Sequence, residues 1–193
     1  MLGPGEIDPL GAIRVAYVCT RGSTRPGATR ELAEFLVRTD PSIFAVSGID
    51  AGDACALATR FDRQWAYRGA QALFWKAAYR AHEVHDRYLP FLAVRPFDRR
   101  GLLLVDGKLE GRALSIAATQ FSRRREMYVR EARFAREQMR ERPRFLLFAQ
   151  HPIMRSGLRG RDAVELARDE RDDLYVYARA VGPGDYKVMF ASF

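Results

Sequence analysis

Phe145 to Ala149 (FLLFA) is apolar from end to end. A strand with one face in water alternates polar and apolar residues, whereas an unbroken run of this length reads as a strand buried on both faces. Ile13–Cys19 (IRVAYVC) and Ser42–Ser47 (SIFAVS) read the same way. Such strands demand cover on two sides, so the chain must build layers around its sheets. They also direct attention to their own ends, because chemistry in α/β proteins collects where buried strands stop. Phe145–Ala149 stops at Gln150-His151-Pro152.

The segments between these runs supply the cover. Thr29–Arg38 carries apolar residues at 32, 33, 35, 36 and 37, a helical pattern, and Asp53–Phe61 also reads as helical. Trp65–Lys76 holds one or two strands, and 77–90 stays ambiguous. Arg100–Leu109 and Arg112–Phe121 read as a hairpin with glycine-containing turns. A long helix follows, with Ser122 as the expected N-cap. Its buried stripe is Tyr128, Ala132, Ala135 and Met139, and Pro143 ends it. Asp162–Arg168 suggests a short helix, and Asp173–Val181 with Tyr186–Phe193 a closing pair of strands. The expected class is α/β: a four-layer α/β sandwich in which two packed mixed or antiparallel sheets are flanked by helices, with residues 1–193 forming one domain.

Composition narrows the functional classes. Hydrophobic residues make up 48% of the 193, enough for a sizeable core, and no window approaches the roughly 20 apolar residues of a membrane-spanning helix. The stretch MLGPGEIDPL lacks the basic and apolar regions of a signal peptide, and Cys19 and Cys55 suggest free thiols rather than a disulfide framework. The expectation is an intracellular protein, of cytoplasm or organelle matrix, that is not secreted. The formal charge is +8, almost all of it arginine, with lysine only at 76, 108 and 187. That balance admits a polyanion partner, and arginine equally suits lasting polar contacts between proteins.

Two local motifs carry little. GSTRPGAT (22–29) has the glycine spacing of a phosphate-binding loop, but Ala28 stands where the loop's lysine belongs, so it reads as a turn and a helix start. HEVH places His82 and His85 where a helix could aim both at one metal, yet His151 is the only other histidine, and they read better as surface residues. The long helix carries Arg123, Arg124, Arg125, Arg130, Arg133, Arg136 and Arg140 among Glu126, Glu131, Glu137 and Glu141. Its acids and its lack of stacking aromatics favour a solvated or protein-docking face over a nucleic-acid groove. Arg123, Arg130, Arg133, Arg136 and Arg140 are the candidate interaction surface.

The strand ends form a series. RVAYVCTRG ends the first strand at Cys19, PSIFAVSGID the second at Gly48, AATQFS the hairpin at Gln120, LFAQHP the next strand at Gln150 and Pro152, and GDYKVMFASF opens the last with Asp185 and Tyr186. In order and flanking residues this resembles the endonuclease/exonuclease/phosphatase superfamily, the metal-dependent phosphodiesterases related to deoxyribonuclease I. The resemblance implies a metal-site Asn at Cys19, the main metal ligand Glu at Gly48, and a phosphate-binding His at Gln120. It implies a catalytic Asp and positioning Asn at Gln150 and Pro152, and an essential His at Tyr186. Only Asp185 keeps the family's letter. RDDLYVYAR (171–179) resembles the family's RIDYIFVS.

What the resemblance implies is a kept scaffold with an emptied site. Glycine offers a hard cation nothing in place of a carboxylate, and an amide cannot act as a base at neutral pH. The expectation is a noncatalytic domain, with no catalytic residues and no cofactor, serving as a structural or accessory subunit among other protein subunits. A noncatalytic nucleic-acid binder is the second reading. A divergent phosphodiesterase using Mg²⁺ or Mn²⁺ with Asp50, Asp53, His151, Asp185 and Tyr186 is the third.

Overall fold

The computed structural model describes residues 13–20, 28–88, 101–121, 125–150, 164–171, 174–179 and 186–192. In chain order they form β1 (Ile13–Cys19), α1 (Ala28–Thr39), β2 (Ile43–Ser47), α2 (Ala51–Arg60), β3 (Gln64–Arg68), β4 (Gln71–Trp75), β5 (Tyr79–Tyr88), β6 (Gly101–Leu109) and β7 (Arg112–Gln120). Then come α3 (Arg125–Arg140), β8 (Phe145–Gln150), β9 (Val164–Asp169), β10 (Leu174–Arg179) and β11 (Tyr186–Ser192).

One sheet has five strands in the order β11-β1-β2-β4-β3, the other six in the order β5-β6-β7-β8-β10-β9. Both are mixed. β1 runs parallel to β2 and β11, and β7 parallel to β8, while the other neighbours are antiparallel. Each parallel step between consecutive strands is spanned by a helix, α1 after β1 and α3 after β7, as parallel pairing requires.

The two-residue period of a strand sorts the apolar residues into three cores. Val15, Tyr17 and Cys19 of β1 meet Leu103, Ile116, Leu146 and Phe148 between the sheets. Ala16 and Val18 face the other way, onto Leu32, Phe35 and Leu36 of α1 and Leu57 of α2. On the second sheet Phe145, Leu147 and Ala149 lie under Tyr128, Ala132, Ala135 and Met139 of α3. The expected four-layer α/β sandwich is therefore present, and the FLLFA run is buried on both faces for the reason its sequence suggests.

Three readings need correction. Asp162–Arg168 is not a helix where it is described, since Val164–Asp169 is strand β9, paired antiparallel to β10. β10 and β11 are not a pair: β10 lies between β8 and β9, and β11 lies beside β1 in the other sheet. The acids of α3 do not all face water, because Glu131 is completely buried. The ambiguous 77–90 region contains β5, which places His82 and His85 on a strand rather than a helix, with its pairing to β6 bulged between Ala81 and Glu83. The Ser122 cap, Arg123 and most of the GSTRPGAT loop lie outside the described residues.

Candidate functional site at the strand ends

The C-terminal ends of β1, β2, β7 and β8 meet at one end of the sandwich. Parallel pairing of β7 with β8 sets Gln120 beside Gln150, and parallel pairing of β1 with β2 sets Cys19 beside Ser47. The Gln150 side chain then bridges the sheets. Its Oε1 accepts a hydrogen bond from Ser47 Oγ at 2.7 Å, and its Nε2 donates to Cys19 Sγ at 3.8 Å. Thr20 closes the β1–β2 side: its N–H donates to the Ser47 carbonyl at 2.9 Å and its Oγ1 to the Gly48 carbonyl at 2.6 Å. Gly48 turns the chain with φ +85°, in the left-handed region that favours glycine, and its N–H donates to the Ala70 carbonyl at 2.7 Å.

Four of the expected positions, Cys19, Gly48, Gln120 and Gln150, therefore come together. The side chains of Cys19, Ser47, Gln120 and Gln150 are all neutral, and Cys19 and Ser47 are buried. Burial, with the neighbouring Cys19 second, pushes the Tyr17 phenol far above its ordinary value. It stays protonated at neutral pH and supplies no anion either. A hard divalent cation wants carboxylate oxygens. These residues do not fit one, and among the described residues no three of His, Cys, Asp and Glu gather to hold a metal.

Tyr186 is placed elsewhere. It opens β11 and pairs with Ile13, at the start of β1, while Cys19 at the far end of that strand pairs with Ser192. Six residues of strand, roughly 20 Å, separate it from the Cys19 end. Asp50 serves as N-cap of α2, its Oδ1 accepting from the Asp53 N–H at 2.9 Å, and Asp53 lies exposed in that helix's first turn. Pro152, His151 and Asp185 lie outside the described residues.

A second polar cluster was not legible in the sequence. Asp106 interrupts the apolar run of β6 on the face covered by α3. Arg142 grips both its oxygens, Nε to Oδ1 at 2.9 Å and Nη2 to Oδ2 at 2.8 Å. His85 Nε2 lies 2.9 Å from Oδ2, and Ser115 Oγ donates to Oδ1. Burial alone would raise the Asp106 pKa, but the bonds from Arg142, Ser115 and His85 outweigh it and hold the carboxyl below its ordinary value. Ser115 bonds the carboxylate and not the imidazole, so this is no nucleophile–base pair. The cluster clasps the chain leaving α3 to the sheet. The only hint in sequence was one aspartate in phase with Leu102 and Leu104.

Of the candidate interaction residues, Arg130, Arg133 and Arg140 are exposed on the outer side of α3, and Arg136 is half-buried.

No family model matches the sequence, and no curated protein does. Solved structures do match the fold. D. rerio TDP2, complexed with a single-strand DNA product, superposes with a TM-score of 0.72 at 12% identity, over 88% of this chain and 84% of that one. An endonuclease/exonuclease/phosphatase family protein from Bacteroides thetaiotaomicron gives 0.70 at 12% identity, over 86% and 82%. The human Nocturnin catalytic domain gives 0.62 at 9% identity, over 79% and 75%.

Proposed function

We propose that this chain, which has the fold of the endonuclease/exonuclease/phosphatase superfamily, no longer does the superfamily's chemistry and serves as a structural or accessory subunit of a larger assembly. One observation carries the reading. The strand ends that would hold a metal and a phosphate are tied together by the neutral Ser47–Gln150–Cys19 bridge. A catalytic centre needs groups free to bind and to exchange protons, and here Gln150, at the position of the nucleophile-activating carboxylate, is committed on both ends of its amide. A scaffold needs the reverse: strand ends that hold two sheets in fixed relation.

The test is the native size of the protein in gently lysed source cells, with and without nuclease. Migration in a large complex that resists nuclease supports the subunit reading. Migration near the 22.0 kDa monomer defeats it, and a Mn²⁺-dependent phosphodiesterase assay then becomes decisive. A large species that collapses under nuclease favours the second reading, noncatalytic binding of nucleic acid. That reading draws on the +8 charge and the exposed Arg130, Arg133 and Arg140, and it requires affinity that falls steeply with salt.

A further inference from the structure

Positive charge gathers at one end of the six-stranded sheet, and strand register sets it in a row. Arg80 of β5 lies directly opposite Lys108 of β6, and Lys108 opposite Ala113 of β7. Arg112 opens β7, Arg144 immediately precedes β8, and Arg179 ends β10 beside Phe145. Arg140 ends α3, where its carbonyl accepts from Arg179. Neighbouring strands lie ~5 Å apart, so the row from β5 to β10 crosses roughly 20 Å. It occupies the opposite end of β7 and β8 from the neutral Gln120 and Gln150. Arg80, Lys108, Arg112 and Arg140 are exposed, and Arg144 is half-buried. Among the described residues no carboxylate pairs with any of these five. The same segments carry Glu110 and Glu141, both exposed, and Asp106, which Arg142 holds. Elsewhere cations have partners: Arg30 pairs with Glu34, Arg63 and Lys76 with Asp40, and Arg168 with Glu170.

We propose that this row binds the phosphate backbone of a nucleic acid. Like charges directly opposite each other, as Arg80 and Lys108 are, repel until an anion lies between them. The phosphates of a strand recur every few Å along a line, as these cations do. Guanidinium forks also take phosphate oxygens in pairs. An acidic protein would offer the same sign of charge, but a protein interface is built around an apolar or aromatic centre. The exposed large hydrophobic residues among those described lie away from this end. Val37 is on α1, Val84 is four residues along β5 from Arg80, and Val129 is near the start of α3. Contacts to phosphate carry no sequence information, so the binding is independent of sequence. It asks nothing of the strand-end site. The proposal rests on the second functional reading, noncatalytic binding of nucleic acid, and gives that reading its surface.

The test titrates the full chain into a labelled oligothymidylate strand long enough to cross the row and follows fluorescence anisotropy. Five phosphate contacts, at a slope of about −0.7 each, should lower affinity roughly a hundredfold between about 50 and 200 mM salt. Lys108→Glu with Arg112→Glu should weaken binding at least about tenfold and flatten the salt slope by about 1.4. Arg38→Glu with Arg60→Glu makes the same change of net charge on α1 and α2 and should leave affinity within about twofold, since charges beyond a Debye length are screened. Circular dichroism confirms that both variants remain folded. Polyglutamate should compete poorly. No binding at about 50 mM salt and 100 µM protein overturns the proposal and the second reading together. Binding that Lys108→Glu with Arg112→Glu leaves unchanged overturns the proposal alone and moves the reading to another surface. Equal weakening by the two double variants also overturns it, by showing an effect of net charge only. Polyglutamate that competes at equal charge overturns it in favour of an acidic protein partner.

Discussion

Gln150 has two jobs that its amide can do and a carboxylate could not. Oε1 accepts from Ser47 while Nε2 donates toward Cys19, and an amide offers both in one planar group where an ionised carboxylate can only accept. Gln150→Leu strands the Ser47 hydroxyl, which is buried, and should lower stability by about 1–2 kcal/mol. Ser47→Ala on top of it should recover part of that loss, because no polar group is then left unpaired, and chemical denaturation of the two singles and the double reads the coupling directly. Gly48 makes a sharper case. At φ +85° a glutamate there meets the Cβ–carbonyl clash of the left-handed region, about 1–2 kcal/mol. Gly48→Glu should therefore destabilise the protein and still hold no Mn²⁺, and isothermal titration of the variant checks the second half.

The chain leaving α3 is held by arginine. Arg142 forks onto Asp106, and Arg179 of β10 donates to the carbonyls of Arg140 and Arg142 at 2.9 and 3.1 Å. The last carbonyls of a helix lack partners and carry the negative end of its dipole, so a guanidinium there satisfies both needs. Arg142→Ala leaves a half-buried carboxylate without its main partner and should cost about 2 kcal/mol. The pH dependence has a definite sign. The folded Asp106 pKa lies below its usual 3.8, so its contribution is complete above that value and is lost as pH falls through the folded pKa. Acid unfolding should steepen below about pH 4, and Asp106→Asn should flatten that limb. Legibility followed the strength of local signals at this scale. The stripe Tyr128, Ala132, Ala135, Met139 is buried as its spacing suggests, because only one helix face can hold all four. VELARD has good helix formers in Glu165, Leu166, Ala167 and Arg168, yet β10 pairs with it as a strand, tertiary pairing overriding a weak propensity. LYVYAR and YKVMFAS look like a hairpin because they are close in sequence. Nothing in their residues says that the chain crosses from one sheet to the other between them, and Tyr186, which the resemblance implies at the site, pairs instead with Ile13.

At the scale of the molecule the two sheets share one core, and the strand-end bridge is part of it. Tyr17 of β1 meets Phe148 of β8 edge-on, with ring centroids 5.6 Å apart. Phe148→Ala should cost about 3–5 kcal/mol, and the loss should be felt by both sheets together. The two tryptophans, Trp65 and Trp75, both lie in the five-stranded sheet, so their fluorescence reports that sheet while far-ultraviolet circular dichroism reports both. Coincident transitions in wild type and variant are expected of a shared core. The same measurement settles the metal question without an assay of turnover. A cation that binds only the folded state stabilises it by RT ln(1 + [L]/Kd), about 2.7 kcal/mol at a hundredfold excess over Kd. For a chain of this size each kcal/mol moves Tm by roughly 2–4 °C, so a site of ten-micromolar affinity would raise Tm by about 5–11 °C in 1 mM Mn²⁺. The neutral Ser47–Gln150–Cys19 bridge leads us to expect no shift between 1 mM Mn²⁺ and 1 mM EDTA, in wild type and in Gln150→Leu alike. A shift in wild type would mean that carboxylates from beyond the described residues complete a site there, and it would return the protein to the metal-dependent enzymes whose fold it has.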